Sequence, residues 1–137
     1  MDWFGLRDAL QSKFRIVQFT PRDDQGEAVM IVELEGSGER AAPIVIADVD
    51  MRHEGRGIYA RATAPIGRVE EMNVPAALDH LKTTVVGGLT VIDEDLMLQH
   101  TLPLDGLDTA RAVRPLVLLA TTAGEMRQRF QVPGAAL

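Results

Sequence analysis

Apolar residues recur along this chain with two periods. Over 2–14, Trp3, Leu6, Leu10 and Phe14 fall at helical spacing with Arg7, Asp8, Gln11 and Lys13 between them, which predicts an amphipathic helix. Period two then takes over, predicting strands at 15–20, 28–34, 44–51 and 58–64. In the second of these, Met30, Val32 and Leu34 face one way and Val29 and Ile31 the other, so it is expected inside the sheet. In the third, Val45, Ala47, Val49 and Met51 are expected to be buried, with Ile44, Ile46, Asp48 and Asp50 opposite. In the fourth, Ile58, Ala60, Ala62 and Ala64 alternate with Tyr59, Arg61 and Thr63. Pairing with 44–51 would set Arg61 across from Asp48 or Asp50, an exposed pair contributing about 0.2–1 kcal/mol.

The segment 65–73 reads as a loop, and 75–84 as a helix capped by Asn73, with Pro75 in its first turn and Ala77, Leu78, Leu81 and Val85 inward. Turn chemistry separates the elements: PRDDQG from Pro21, with Asp23, Asp24 and Gly26, then EGSGER, RHEGRG and Gly87-Gly88.

The segment 89–130 carries the strongest pattern. Leu89, Val91 and Ile92 precede an acidic turn at Asp93, Glu94 and Asp95; Leu96, Leu98, Leu102 and Leu104 then recur at period two with Met97, Gln99 and Thr101 between them, predicting a hairpin. His100 falls on the leucine face, where a buried neutral imidazole needs a hydrogen-bond partner from the adjoining sheet. Pro103 has no N–H for a ladder and marks an edge or a strand end. After the Asp105-Gly106 turn, Asp108 is the expected N-cap of a helix over 108–130.

This last helix carries two apolar stripes. Ala110, Val113, Val117, Ala120 and Gly124 form one; Leu116, Leu119, Ala123, Met126 and Phe130 form the other. A helix apolar most of the way round is covered on more than one side, by its own chain or by a partner. Pro115, about two turns in, should remove a backbone bond and bend it. Gly124 either admits another backbone or ends the helix early.

The run GGLTVIDEDLMLQHTLPLDGLDTARAVRPLVLLATTAGEM resembles the C-terminal half of the YbjN-like proteins, which share the fold of the type III secretion chaperones. The match is a small-residue turn, a strand, an acidic turn, a strand ending LPLDGL, and a long helix with an Ala/Thr-rich second half. EAVMIVELEGSGERAAPIVIADVD is similar to that family's first sheet strands. The resemblance implies an α+β fold, a groove or dimer surface, and a bacterial role in binding proteins or peptides, with no catalytic residue. Pro115 has no place in the family pattern.

Composition narrows the chemistry. A chain of 137 residues suits one domain, expected over 1–131 with a flexible tail at 132–137. The absence of cysteine removes disulfides, thiolate metal sites and cysteine nucleophiles, and is compatible with the cytoplasm. A net charge of −6, with scattered arginines and lysine only at Lys13 and Lys82, argues against a nucleic-acid partner. No apolar run reaches the ~20 residues needed to span a bilayer, and the start of the chain lacks the apolar core of a signal peptide.

No phosphate-binding glycine loop occurs. Ser37 lies between two glycines but lacks the glycine spacing of a nucleophile elbow. Asp48, Asp50, His53 and Glu54 are the one group whose side-chain types suit a divalent metal, yet His53 falls in the turn beyond the strand and has no second histidine nearby.

The expectation is an α+β domain. An antiparallel sheet of five or six strands carries an N-terminal, a middle and a long C-terminal helix. It is expected to be a non-enzymatic protein or peptide binder, chaperone-like or regulatory, acting through an apolar surface on the sheet and last helix, without cofactor or metal, and a possible homodimer. Trp3, Leu116, Leu119 and Met126 are the candidate partner-binding residues. The alternative is a small-ligand or metal-dependent enzyme built on Asp48, Asp50, His53 and Glu54.

Overall fold

The computed structural model describes residues 1–21, 28–84 and 86–133. The expected turn residues Asp23, Asp24 and Gly26, the inward placement of Val85, and tail residues 134–137 lie outside that range.

The chain runs α1 (Trp3–Leu10), β1 (Phe14–Thr20), β2 (Val29–Leu34), β3 (Ile44–Asp50), β4 (Ile58–Arg68), α2 (Val74–His80), β5 (Gly88–Ile92), β6 (Asp95–Pro103) and α3 (Thr109–Arg129). The six strands form one antiparallel sheet in the order β1-β2-β3-β4-β6-β5. This is the expected α+β architecture. Four of the five strand connections are between neighbours in the sheet; the chain leaves only after β4, to form α2 and return at the edge as β5.

Helix α3 lies across β4 and β6, and α1 packs beside it on the same face. The strand beneath explains the fit. Ala60, Ala62, Ala64 and Ile66 of β4 are all buried, so a floor of mostly small side chains lets α3 seat Leu116, Leu119 and Met126 directly against the sheet. The two apolar stripes of α3 merge into one broad buried face through Ala112, Leu116, Leu119, Ala120, Ala123 and Met126. Ala110 is exposed instead. Gly124 keeps its helical place because another backbone does approach: a first side-chain carbon there would overlap the Arg40 carbonyl. Nearby, the Ala42 N–H donates to Ala120 O at 3.0 Å, tying the β2–β3 connection to the helix. The helix runs unbroken through Pro115. The carbonyl that Pro115 deprives of a donor belongs to Arg111, an exposed residue, so solvent can replace the bond.

Asp108 caps α3, its Oδ1 accepting from Arg111 N at 2.9 Å, and Asp2 caps α1, accepting from Gly5 N at 2.7 Å. Asn73 caps α2 in the same way. Helix α1 is shorter than expected: the chain turns at 11–13 and Phe14 enters β1, where it pairs with Leu34 and is still buried.

Two further expectations are corrected. The buried face of β3 is Ile44 and Ile46, whereas Val45 is 40% exposed. Register decides this: Ile44 pairs with Val32 and Ile46 with Met30, both on the helix side of β2. Either parity of β3 is apolar at its start, so alternation alone did not choose. Arg61 consequently lies opposite Ala47, while Asp48 faces Ala60 and Asp50 faces Ile58. The segment from Pro65 is also not a loop at first. Strand β4 continues to Arg68 through an irregularity between Pro65 and Gly67, which absorbs the proline's missing N–H. Ile66 is buried there.

Candidate functional site

The four residues expected to bind a partner belong to the core. Leu116, Leu119 and Met126 are 0% exposed, held between α3 and the alanine floor of β4. Trp3 is also buried; its ring stacks on Phe19 and its Nε1 donates to Thr20 O at 3.3 Å. Correcting this placement moves the available surface elsewhere. Phe4, next to Trp3, is the exposed aromatic of α1, and Arg7 lies 5.4 Å from its ring and 4.7 Å from that of Phe19.

The face of the sheet turned away from α1 and α3 is covered by none of the described helices. Cross-strand register assembles its centre. Ile31 of β2 pairs with Val45 of β3, Val29 pairs with Ala47, and Val49 pairs with Tyr59 of β4. These six side chains are half-buried or exposed, and together they make a contiguous apolar patch. Polar groups frame it. The Arg15–Glu33 ion pair, at 2.7 Å, stands on the β1 side. Arg61 and the paired Thr63 and Gln99, 3.4 Å apart, stand toward β6. An apolar centre with a polar rim is the anatomy of a protein-binding surface.

Sequence reasoning assigned Val29 and Ile31 to a second apolar face and placed β2 inside the sheet, where it lies between β1 and β3, but did not identify that face as the uncovered one. The signal present was the exposed Arg15, Glu33 and Arg61 at the same parity as the apolar patch; polar residues at that parity mark a solvated face.

The acidic group of the alternative reading is engaged locally. Asp50 receives two nitrogens of Arg52, at 2.7 to 3.2 Å, and the Arg52 backbone N–H as well. His53 Nε2 lies 3.7 Å from Glu54 in the exposed turn. Among the described residues, no three His, Asp or Glu side chains stand close enough to hold a metal ion.

His100 is half-buried on the helix side of β6, and its Nδ1 accepts the backbone N–H of Gly87 at 3.2 Å. The partner expected from the sheet is thus the residue just before β5. Burial lowers the imidazole's pKa below its ordinary value. A neutral ring with its proton on Nε2 is the form this bond requires.

A half-open cleft of about 730 Å³ lies between the β2–β3 connection and the end of α3, lined by Arg15, Glu33, Glu35, Ser37, Glu39 and Arg127 among others. Ser37 Oγ donates to Leu34 O at 2.8 Å, and no histidine lines the cleft to activate it. No helix of the described residues is long and apolar enough to cross a membrane. The chain matches no protein-family model, and no curated protein matches it in sequence.

Proposed function

We propose that this chain is a non-enzymatic protein- or peptide-binding domain of the cytoplasm, chaperone-like or regulatory, and that it forms a homodimer. The observation that carries the reading is the contiguous apolar patch of Val29, Ile31, Val45, Ala47, Val49 and Tyr59 on the uncovered sheet face. A sheet face left open by a one-sided helix layer exposes side chains in straight rows. An extended polypeptide with apolar residues at alternate positions matches those rows. The resemblance to YbjN-like proteins points the same way. The binding surface in this reading is the open sheet face and not α3.

The test uses fluorescently labelled peptides of alternating apolar and polar residues, with binding followed by anisotropy. Val45→Glu places a charge at the centre of the patch, on the solvent side. It is expected to weaken binding by about tenfold or more while leaving the thermal transition in place. Peptides that bind equally well to the variant, or no binding to the unmodified chain, would overturn the reading.

A further inference from the structure

The sheet ends in two open edges, and they are built differently. At β1 the ladder to β2 is broken by an irregularity at Val17, and the charged Arg15 and polar Gln18 stand exposed along the strand. A bulge and a charge are devices by which an edge refuses another strand. At β5, Gly88–Ile92, the ladder to β6 is regular from Gly88 opposite Gln99 to Ile92 opposite Asp95. Its sequence GLTVI holds no charge and no proline, and Val91 and Ile92 are 54% and 43% exposed. Among the described residues nothing pairs with its outer side.

We infer that β5 is a self-pairing edge: a second copy of this chain adds its own β5 in antiparallel register about a two-fold axis at Thr90. This rests on the homodimer proposed above and names its contact. Backbone N–H and C=O groups in a row, otherwise left to water, are matched in spacing by another extended backbone, which sets the chemistry of the occupant. The sequence then fixes its identity. About Thr90, Leu89 of one copy lies opposite Val91 of the other, covering the most exposed apolar side chain of the strand, and Thr90 meets Thr90. Asp93 falls opposite Gly87 and Glu94 opposite Val86, so no acid faces an acid. The refusal at β1 adds a constraint of its own. With one edge blocked, edge pairing cannot propagate head to tail; it must be isologous and close as a dimer. A five-residue ladder is short beside a standard interface of roughly 1,600 Å², so the dimer dissociates on dilution.

The experiment is sedimentation velocity on the full chain across a wide concentration range, with Thr90→Lys and Thr90→Glu. Like charges then meet at the two-fold axis, and each variant alone is expected to weaken dimerisation by at least about tenfold. An equimolar mixture of the two is expected to restore a heterodimer, an outcome that misfolded variants cannot produce. The chain has no cysteine, so Thr90→Cys can be oxidised without competing thiols. Directly opposed side chains with Cβ atoms about 4.5–5.5 Å apart can approach disulfide distance, and a cross-linked dimer is expected. A monomer at every concentration, a Thr90→Lys dimer as tight as the unmodified one, or a mixture that stays monomeric would overturn the inference. So would β5 amides that gain protection only when peptide is added. None of these outcomes depends on the open-face patch, whose own test is the Val45→Glu variant.

Discussion

At the scale of single residues, Gly124 and His100 each hold two segments together. Gly124 was legible in the sequence as a glycine that an otherwise regular helix had to explain, because an interior glycine costs about 1 kcal/mol relative to alanine. The structure supplies the reason in the Arg40 carbonyl against its bare Cα side. Gly124→Ala therefore gains helix propensity and loses more to overpacking against a backbone that cannot rotate away. A net destabilisation of about 1–2 kcal/mol is expected from urea unfolding, whereas an unchanged or increased midpoint would contradict the contact.

His100 carries a pH dependence whose sign follows from burial. The unfolded imidazole titrates near its ordinary value of 6.5, and the folded one below it. Below that value the unfolded chain binds more protons, so stability is full at higher pH and falls as pH drops through 6.5 toward the folded pKa. Protonation at Nδ1 would also end acceptance of the Gly87 N–H, loosening the entry to β5. In His100→Asn the loss of stability on going from about pH 7.5 to pH 5 should be smaller than in the unmodified chain. Equal losses in both would remove His100 from the account. That His100 needed a partner could be read from the leucine alternation around it. That the partner is Gly87 could not, because the turn before β5 leaves no periodic trace.

At the scale of elements, the strands and helices were legible almost throughout, and the faces were less so. Capping residues and turn glycines mark ends chemically, which is why Asp108 and Asn73 stand where expected. Faces fail where alternation is ambiguous. Strand β3 begins Ile44-Val45-Ile46, apolar at both parities, and only its register with β2 settles which side is buried. For α3 the expected cover on more than one side is supplied by the chain itself: the sheet, α1 and the β2–β3 connection all pack against it, and residues three and four apart merge into a single wide face over the alanines of β4. Pro115 shows how such a helix tolerates a defect, since the bond it forfeits lies beside solvent-exposed Arg111. Pro115→Ala is accordingly expected to stabilise the chain by about 1–3 kcal/mol in urea unfolding. A destabilised variant would mean that the ring's packing outweighs the backbone bond.

At the scale of the whole molecule, one sheet carries its helices on one side, and this one-sidedness organises both proposals. The covered side consumes the residues that the sequence offered most plainly as a binding surface, Trp3, Leu116, Leu119 and Met126. The open side and the β5 edge, which sequence reasoning did not separate from the core, are what remains for a second polypeptide. Such a distinction lies in which side of a pleated sheet the helices choose, a global outcome that no local window of sequence contains.

The packing of α1 against α3 has a bearing on how the chain matures. Helix α1 is made before the sheet and α3 after it, so Leu6, Leu10 and the alanine floor of β4 wait without a lid while everything between is made. During that interval a nascent sheet is greasy on both sides, and it becomes one-sided only when α3 arrives.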